Sequence, residues 1–167
     1  MAADTTTSRV PDARFLVAHP AHFIALGFGA GVSRFAPGTV GTLVAFPLWW
    51  LIRIGYGPLE TLAIVVLLFA IGVWACELTG RHLGIADHGA MCWDEVVAFL
   101  AMLALIPDEL GWQVAAFLLF RFFDVVKPSP IREVERRLKG GFGVMADDIL
   151  AAGYALVVLA LVKRFVL

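Results

Sequence analysis

Three groups of acidic residues stand where uncharged, apolar runs of this sequence begin or end. Asp94 and Glu95 precede one run, Asp124 follows another, and Asp147 with Asp148 precedes a third. If the runs are helices of alternating direction, the three groups meet at one level. Carboxylates that converge there would repel one another unless a cation were bound, and hard oxygen ligands suit Mg²⁺. The sequence therefore predicts a magnesium site formed by Asp94, Glu95, Asp124, Asp147 and Asp148.

Each acidic group also has a simpler interpretation when it is considered alone. Acidic residues are common in the first turn of a helix, where they cap free N–H groups and interact with the helix dipole. Their joint position at the edge of a membrane favours a functional role, because ionisable residues near a bilayer are usually functional.

Two cationic residues flank Asp124 at helical spacing. Arg121 lies three residues before Asp124 and Lys127 three residues after it, although Pro128 disfavours a helical conformation at Lys127. A metal-bound carboxylate with two cations aimed at phosphate oxygens would suit phosphoryl transfer. The alternative is a basic pair that reaches from the bilayer into the interface. We predict a catalytic group, which comprises Asp94, Glu95, Asp124, Lys127 and Asp148.

Further phosphate-binding candidates lie in two short segments. The segment PGTVGT at residues 37–42 precedes a long apolar run, so Gly38 would present helix N–H groups to an anion, and Thr39 and Thr42 would add hydroxyl donors. It lacks the Lys-Ser/Thr ending of a P-loop, and an ordinary helix entry is the alternative. His88 follows Asp87 and is suited to proton transfer or phosphate binding, unless it is simply a surface histidine.

The composition points to a membrane protein. The chain has 167 residues, of which 60% are hydrophobic and 16% charged, with a mean hydropathy of +0.86. A soluble domain has about a quarter of its residues charged. The net charge of −1 and the lack of a basic stripe argue against nucleic acid as a partner. The two cysteines give no support to a disulfide framework or a zinc site, and no signal peptide is evident.

Charged residues divide the chain into apolar runs. The uncharged runs are residues 40–52, 61–76, 96–107, 112–120 and 149–162. With flanking polar residues most approach the length of a membrane helix, whereas 96–107 and 112–123 predict a short hairpin. Residues 15–31 predict an interfacial or re-entrant helix. We predict an all-α, compact bundle of about four to five membrane helices over residues 15–167, preceded by a flexible tail at 1–14.

The basic residues predict the orientation of the bundle. If five runs cross the membrane in alternation, ten of the 13 Lys and Arg residues lie on the same side as the acidic groups. The positive-inside rule places that side in the cytoplasm. Residues 131–139 are amphipathic and basic, and we expect them to lie on anionic membrane lipids.

These motifs, in this order, closely resemble the phosphatidylglycerophosphatase A family. The resemblance covers residues 23–153 and is carried by four blocks, GFGAGVSRFAPGTVGT at 27–42, DHGAMCWDE at 87–95, FRFFDVVKPSPI at 120–131 and GGFGVMADD at 140–148. It implies an all-helical enzyme of the bacterial inner membrane. It also implies Mg²⁺-dependent hydrolysis of phosphatidylglycerophosphate to phosphatidylglycerol and phosphate.

The residues leave several alternatives open. Attack on phosphorus by water and attack by Asp124 to form an aspartyl-phosphate are both compatible with the motifs. Another membrane phospholipid is an alternative substrate. A small divalent-cation carrier would need acidic residues near the middle of the bilayer, and a structural membrane subunit would leave Arg121 and Lys127 unexplained. The oligomeric state is not predicted.

Overall fold

The computed structural model describes residues 11–165, and within that range the chain is helical and has no β-strand. The elements are α1 (Ala13–Ala18), α2 (Pro20–Ala25), a 3₁₀ helix (Gly27–Val32), α3 (Pro37–Gly55), α4 (Pro58–Leu83), α5 (Trp93–Leu105), α6 (Leu110–Val126), α7 (Ile131–Arg137) and α8 (Gly140–Phe165). The predicted all-α class is confirmed. The predicted tail at 1–14 lies mostly outside the described residues, and its last two residues belong to α1.

Within the described residues, three helices are long and apolar enough to cross a membrane. These are α3 with 19 residues and α4 and α8 with 26 residues each. Each extends beyond its uncharged run by including flanking polar residues, as predicted. At 1.5 Å per residue, the 13 residues of α5 span about 20 Å, less than the roughly 30 Å of a hydrocarbon core. The count of four to five membrane helices is therefore approximate.

The short helix α5 forms the centre of the bundle. All of its residues except Ala101 and Leu105 are buried, and it packs against α3, α4 and α8. The ring of Phe99 lies 5.2 Å from that of Phe46 on α3 and 5.8 Å from that of Phe120 on α6. Because its neighbours surround α5, its apolar residues are covered by protein rather than by lipid.

Small residues allow α4 and α8 to approach closely. A Cβ atom at Gly141 on α8 would contact the backbone carbonyl of Val73 and would lie 2.7 Å from the nitrogen of Glu77 on α4. The Glu77 carboxylate accepts a hydrogen bond of 2.7 Å from Gly141 N. Close backbone contact through glycine is typical of helix pairs in membranes. The contact fixes the start of α8 against α4.

The segment predicted as one interfacial helix is instead three short pieces. Pro20 begins α2 and disfavours a helical conformation at His19, which is extended and separates α1 from α2. Positive φ angles at Phe28 and Gly29 then break the 3₁₀ helix. Cys92 N donates a hydrogen bond of 2.9 Å to Ala25 O, so this N-terminal segment packs on the loop that leads into α5.

Candidate active site

Three predicted metal ligands converge where α5 begins. Asp94 and Glu95 lie in the first turn of α5, and Asp148 lies two turns into α8. One oxygen from each of the three carboxylates lies within 4.8 Å of the other two. The residues are 8%, 8% and 2% exposed, respectively. The packing of α5 against α8 therefore brings three acidic side chains together in a buried position.

The unpaired oxygens of this group fit a cation. Asp94 Oδ1, Glu95 Oε2 and Asp148 Oδ2 are buried and have no hydrogen-bond partner among residues 11–165. An unsatisfied buried polar group costs about 1–3 kcal/mol, and a charged one costs more. A divalent ion held by hard oxygen atoms would satisfy all three, and Mg²⁺ is bound by carboxylates in this way. The donor set therefore fits the predicted metal.

Arg121 joins the acidic residues of α5 and α6. Its Nη1 atom lies 2.7 Å from Asp124 Oδ2 and 3.4 Å from Glu95 Oε1. The side chains of Arg121 and Asp124 are 19% and 12% exposed, so both lie at the rim of the buried group. Arg121 Nε is buried without a hydrogen-bond partner. The guanidinium thus keeps donors that the protein does not use.

The first turn of α3 closes the site on another side. A Cβ atom at Gly38 would contact Glu95 Oε1 and would lie 3.1 Å from both terminal nitrogens of Arg121. Only a glycine permits this approach. Thr39 is half-buried beside it, whereas the hydroxyl of Thr42 is buried and donates 2.8 Å to Gly38 O. The Thr42 hydroxyl therefore donates its hydrogen bond within the helix and not to a ligand.

Lys127 and Asp147 form a separate ion pair beside the three-carboxylate group. Lys127 Nζ lies 2.6 Å from Asp147 Oδ2 and 3.0 Å from Glu135 Oε1 on α7. Asp147 Oδ1 accepts a hydrogen bond of 3.1 Å from Asp148 N, so both Asp147 oxygens have partners. Burial alone would lower the pKa of Lys127, but its hydrogen bonds to Asp147 and Glu135 raise that pKa above the ordinary value.

His88 lies in a neighbouring cavity. The ring is buried, and its Nδ1 atom accepts a hydrogen bond of 3.1 Å from Ala90 N. In the neutral ring the proton is therefore on Nε2. His88 lines a cavity of about 590 Å³ together with Arg34 and Pro37, which begins α3. The cavity and the carboxylate group thus adjoin the same helix end.

The sequence missed two side chains that the fold brings to these positions. Glu135 lies eight residues after Lys127 in a basic segment, where its charge resembles that of an ordinary surface residue. Arg34 lies in a loop and reaches the cavity of His88. Neither stands at the edge of an apolar run, which was the signal that identified the other acidic residues.

Asp94, Glu95 and Asp124 stand at helix ends, whereas Asp148 lies two turns into α8. Asp94 and Glu95 lie in the first turn of α5, and Asp124 lies in the last turn of α6. The fold and the site together define an all-helical membrane protein with a buried carboxylate group at one end of its helices.

The family model described as Phosphatidylglycerophosphatase A matches residues 23–163. A phosphatidylglycerophosphatase A of Haemophilus influenzae is 40% identical over 163 residues, which are 96% of this chain and 99% of that protein. One of Escherichia coli is 40% identical over 144 residues, covering 85% of this chain and 83% of that protein. The chain belongs to the phosphatidylglycerophosphatase A family.

A further relative carries a different name. A protein of Bacteroides thetaiotaomicron, provisionally named a phosphatidylinositol-3-phosphatase, is 40% identical over 147 residues, which cover 84% of this chain and 91% of that protein. No solved structure matches the chain. Family membership identifies the chain as a phosphatase, a phosphoric monoester hydrolase.

Proposed function

We propose that this phosphatase hydrolyses phosphatidylglycerophosphate to phosphatidylglycerol and phosphate, with Mg²⁺ as its cofactor. The observation that carries the proposal is the group of buried, unpartnered oxygens on Asp94, Glu95 and Asp148 in a member of this family. The proposed site lies at the cytoplasmic face of a bacterial inner membrane, which the distribution of basic residues favours.

The balance of charge supports a bound metal. Four carboxylates surround one guanidinium at the site, so an anionic phosphate would be repelled if no cation were added. The carboxylates are those of Asp94, Glu95, Asp124 and Asp148, and the guanidinium is that of Arg121. When bound, Mg²⁺ would supply positive charge that polarises the phosphate and activates the attacking group.

The chain's own residues would bind and orient the phosphate. Arg121 has a free Nε donor, and the first N–H groups of α3 around Gly38 point out of the helix start beside it. Donors preorganised in this way stabilise the charge that develops on phosphate oxygens during transfer. Arg121 would also keep Asp124 in place through their 2.7 Å contact.

Two further residues would assist the departure of the leaving group and the attack on phosphorus. His88 carries its proton on Nε2, and this N–H would donate a hydrogen bond to the glycerol oxygen as that group leaves, while water supplies the proton. The attacking group is either water or the Asp124 carboxylate. Trapping of a phosphorylated Asp124 in acid-quenched enzyme would favour the covalent route, and its absence during single turnover would favour water.

A second candidate substrate is a phosphoinositide. The relative from Bacteroides thetaiotaomicron supports this candidate, because its provisional name assigns it phosphatidylinositol-3-phosphate. The carboxylate group itself does not discriminate between headgroups, since it would act on any terminal phosphate. A cation carrier is disfavoured because Asp94, Glu95 and Asp124 stand at helix ends.

The test is phosphate release in detergent micelles from both lipids, with Mg²⁺ and with EDTA. We expect Mg²⁺-dependent release from phosphatidylglycerophosphate in preference to phosphatidylinositol-3-phosphate. Asp148→Asn should abolish most of it by removing a metal ligand, and Asp124→Asn should abolish most of it by either route. Asp108→Asn is the control, since Asp108 pairs with Arg53 at the opposite end of the bundle.

Several outcomes would contradict the proposal. Full activity in EDTA would exclude the metal, and full activity in folded Asp148→Asn would remove that residue from the site. Preferential hydrolysis of phosphatidylinositol-3-phosphate would replace the proposed substrate with the second candidate.

A further inference from the structure

Glu135 on α7 contacts Lys127, which the sequence predicts to bind the substrate phosphate. Its Oε1 atom lies 3.0 Å from Lys127 Nζ, and the side chain of Lys127 is only 23% exposed. The same ammonium group lies 2.6 Å from Asp147 Oδ2, whose side chain is 5% exposed. Two carboxylates from two different helices therefore hold one half-buried cation.

The backbone at Lys127 needs this support. Lys127 ends α6 with φ of 44° and ψ of 66°, in the left-handed region that favours glycine. A residue other than glycine held there is strained and persists only where its surroundings fix it. The two carboxylate contacts on its side chain are such a constraint.

The helix that carries Glu135 is itself anchored. Ile131, the first residue of α7, is fully buried. Glu135 follows it by four residues, so both lie on the same face of the helix. This face turns toward α8, and the basic residues Arg136 and Arg137 are exposed. The position of Glu135 is thus set by packing rather than by a mobile surface.

An exposed ion pair would contribute little to stability, because water and salt screen the two charges and two long side chains lose freedom. The contact of Glu135 differs because its partner is mostly buried and shared with Asp147. Short charge-assisted hydrogen bonds in such places fix geometry as well as energy. Removal of the Glu135 carboxylate would leave the Lys127 ammonium bound to Asp147 alone. The ammonium would then be free to turn toward Asp147.

We propose that Glu135 is a positioning residue that, together with Asp147, orients the Lys127 ammonium toward the phosphate of the substrate. This inference rests on the proposed function, which supplies the substrate phosphate that Lys127 would bind. Glu135 does not touch the substrate and acts through Lys127.

The experiment compares kcat and KM of Glu135→Gln, Glu135→Asp and wild type, on phosphatidylglycerophosphate and on p-nitrophenyl phosphate. We expect Glu135→Gln to lower kcat/KM about tenfold, as removal of an outer-shell partner does at metal sites. Glu135→Asp should recover part of the loss because it keeps the charge. Thermal unfolding should change little because Asp147 still holds Lys127, and a loss of activity without a loss of stability separates positioning from a structural role.

A double-mutant cycle identifies the route of the effect. If Glu135 acts through Lys127, the pair Lys127→Met and Glu135→Gln should lose no more activity than Lys127→Met alone. Glu133→Gln is the matched control on α7, because Glu133 makes no ion pair within residues 11–165 and so does not contact Lys127. Its activity should equal that of wild type.

The inference is overturned if Glu135→Gln is as active as wild type, if the two losses add fully, or if Glu133→Gln loses as much. It is also overturned if Glu135→Asp is no better than Glu135→Gln. Hydrolysis of p-nitrophenyl phosphate without hydrolysis of phosphatidylglycerophosphate would refute the proposed substrate, while the comparison of variants on the soluble ester would still decide the role of Glu135.

Discussion

The contact between Gly38 and Glu95 makes a sharp test of the site. A methyl group added at Gly38 would overlap Glu95 Oε1 and would lie 3.1 Å from both terminal nitrogens of Arg121. Non-bonded atoms prefer about 3.5–4.0 Å, so the carboxylate would have to retreat by more than about 1 Å. We therefore expect Gly38→Ala to displace Glu95, Arg121 or both.

The size of the effect follows from this displacement. A misplacement of about 1 Å near a reacting group costs roughly 100-fold in rate, so kcat should fall by about that factor. This corresponds to about 2.7 kcal/mol of transition-state stabilisation. Alanine is favoured over glycine in a helix interior by about 1 kcal/mol, which would offset part of any strain. Gly38→Ala should thus fold but turn over slowly.

The assay is single-turnover phosphate release with saturating Mg²⁺, together with thermal unfolding in the same detergent. Gly55→Ala is the matched control, because it lies on the same helix and a Cβ atom there would meet nothing within 4 Å. It should retain wild-type activity. Wild-type turnover by Gly38→Ala would refute the proposed role of the Gly38–Glu95 contact, and equal loss in Gly55→Ala would assign the effect to α3 as a whole.

Two further predictions concern stability. Gly141→Ala should lower the unfolding temperature because the added methyl group would overlap the Val73 carbonyl. Gly153→Ala on the same helix has free space around the added methyl group and should not lower it. Equal unfolding temperatures of the two variants would contradict the close crossing of α4 and α8. Burial lowers the pKa of His22, which forms a 2.8 Å hydrogen bond with His82. The unfolded chain then binds the additional proton more readily, so stability should fall as the pH drops below the ordinary histidine pKa of about 6.5, and His22→Gln should flatten unfolding temperatures measured between about pH 7 and pH 5. An unchanged slope would show that His22 titrates alike in both states.

The sequence by itself determined the class of the protein and the outline of its site. Apolar runs separated by charged residues can be recognised from composition alone. They predicted an all-helical membrane bundle before any tertiary contact was known. The acidic residues at the edges of those runs predicted that five carboxylates would meet, because helices of alternating direction bring such ends to one level. The structure brings three of the five, Asp94, Glu95 and Asp148, into one group. The four blocks were sufficient to indicate the family.

Only the tertiary structure decided which partner each side chain has. Asp147 and Asp148 are neighbours in the chain, yet Asp148 joins the carboxylate group while Asp147 binds Lys127. Successive residues on a helix point about 100° apart, so their partners depend on how α8 is rotated against its neighbours. That rotation is set by packing between residues distant in sequence, such as the contact of Gly141 with α4. The contact between Glu135 and Lys127 could not be predicted from the sequence for the same reason. It depends on the burial of Ile131, which positions α7, and not on any local sequence pattern.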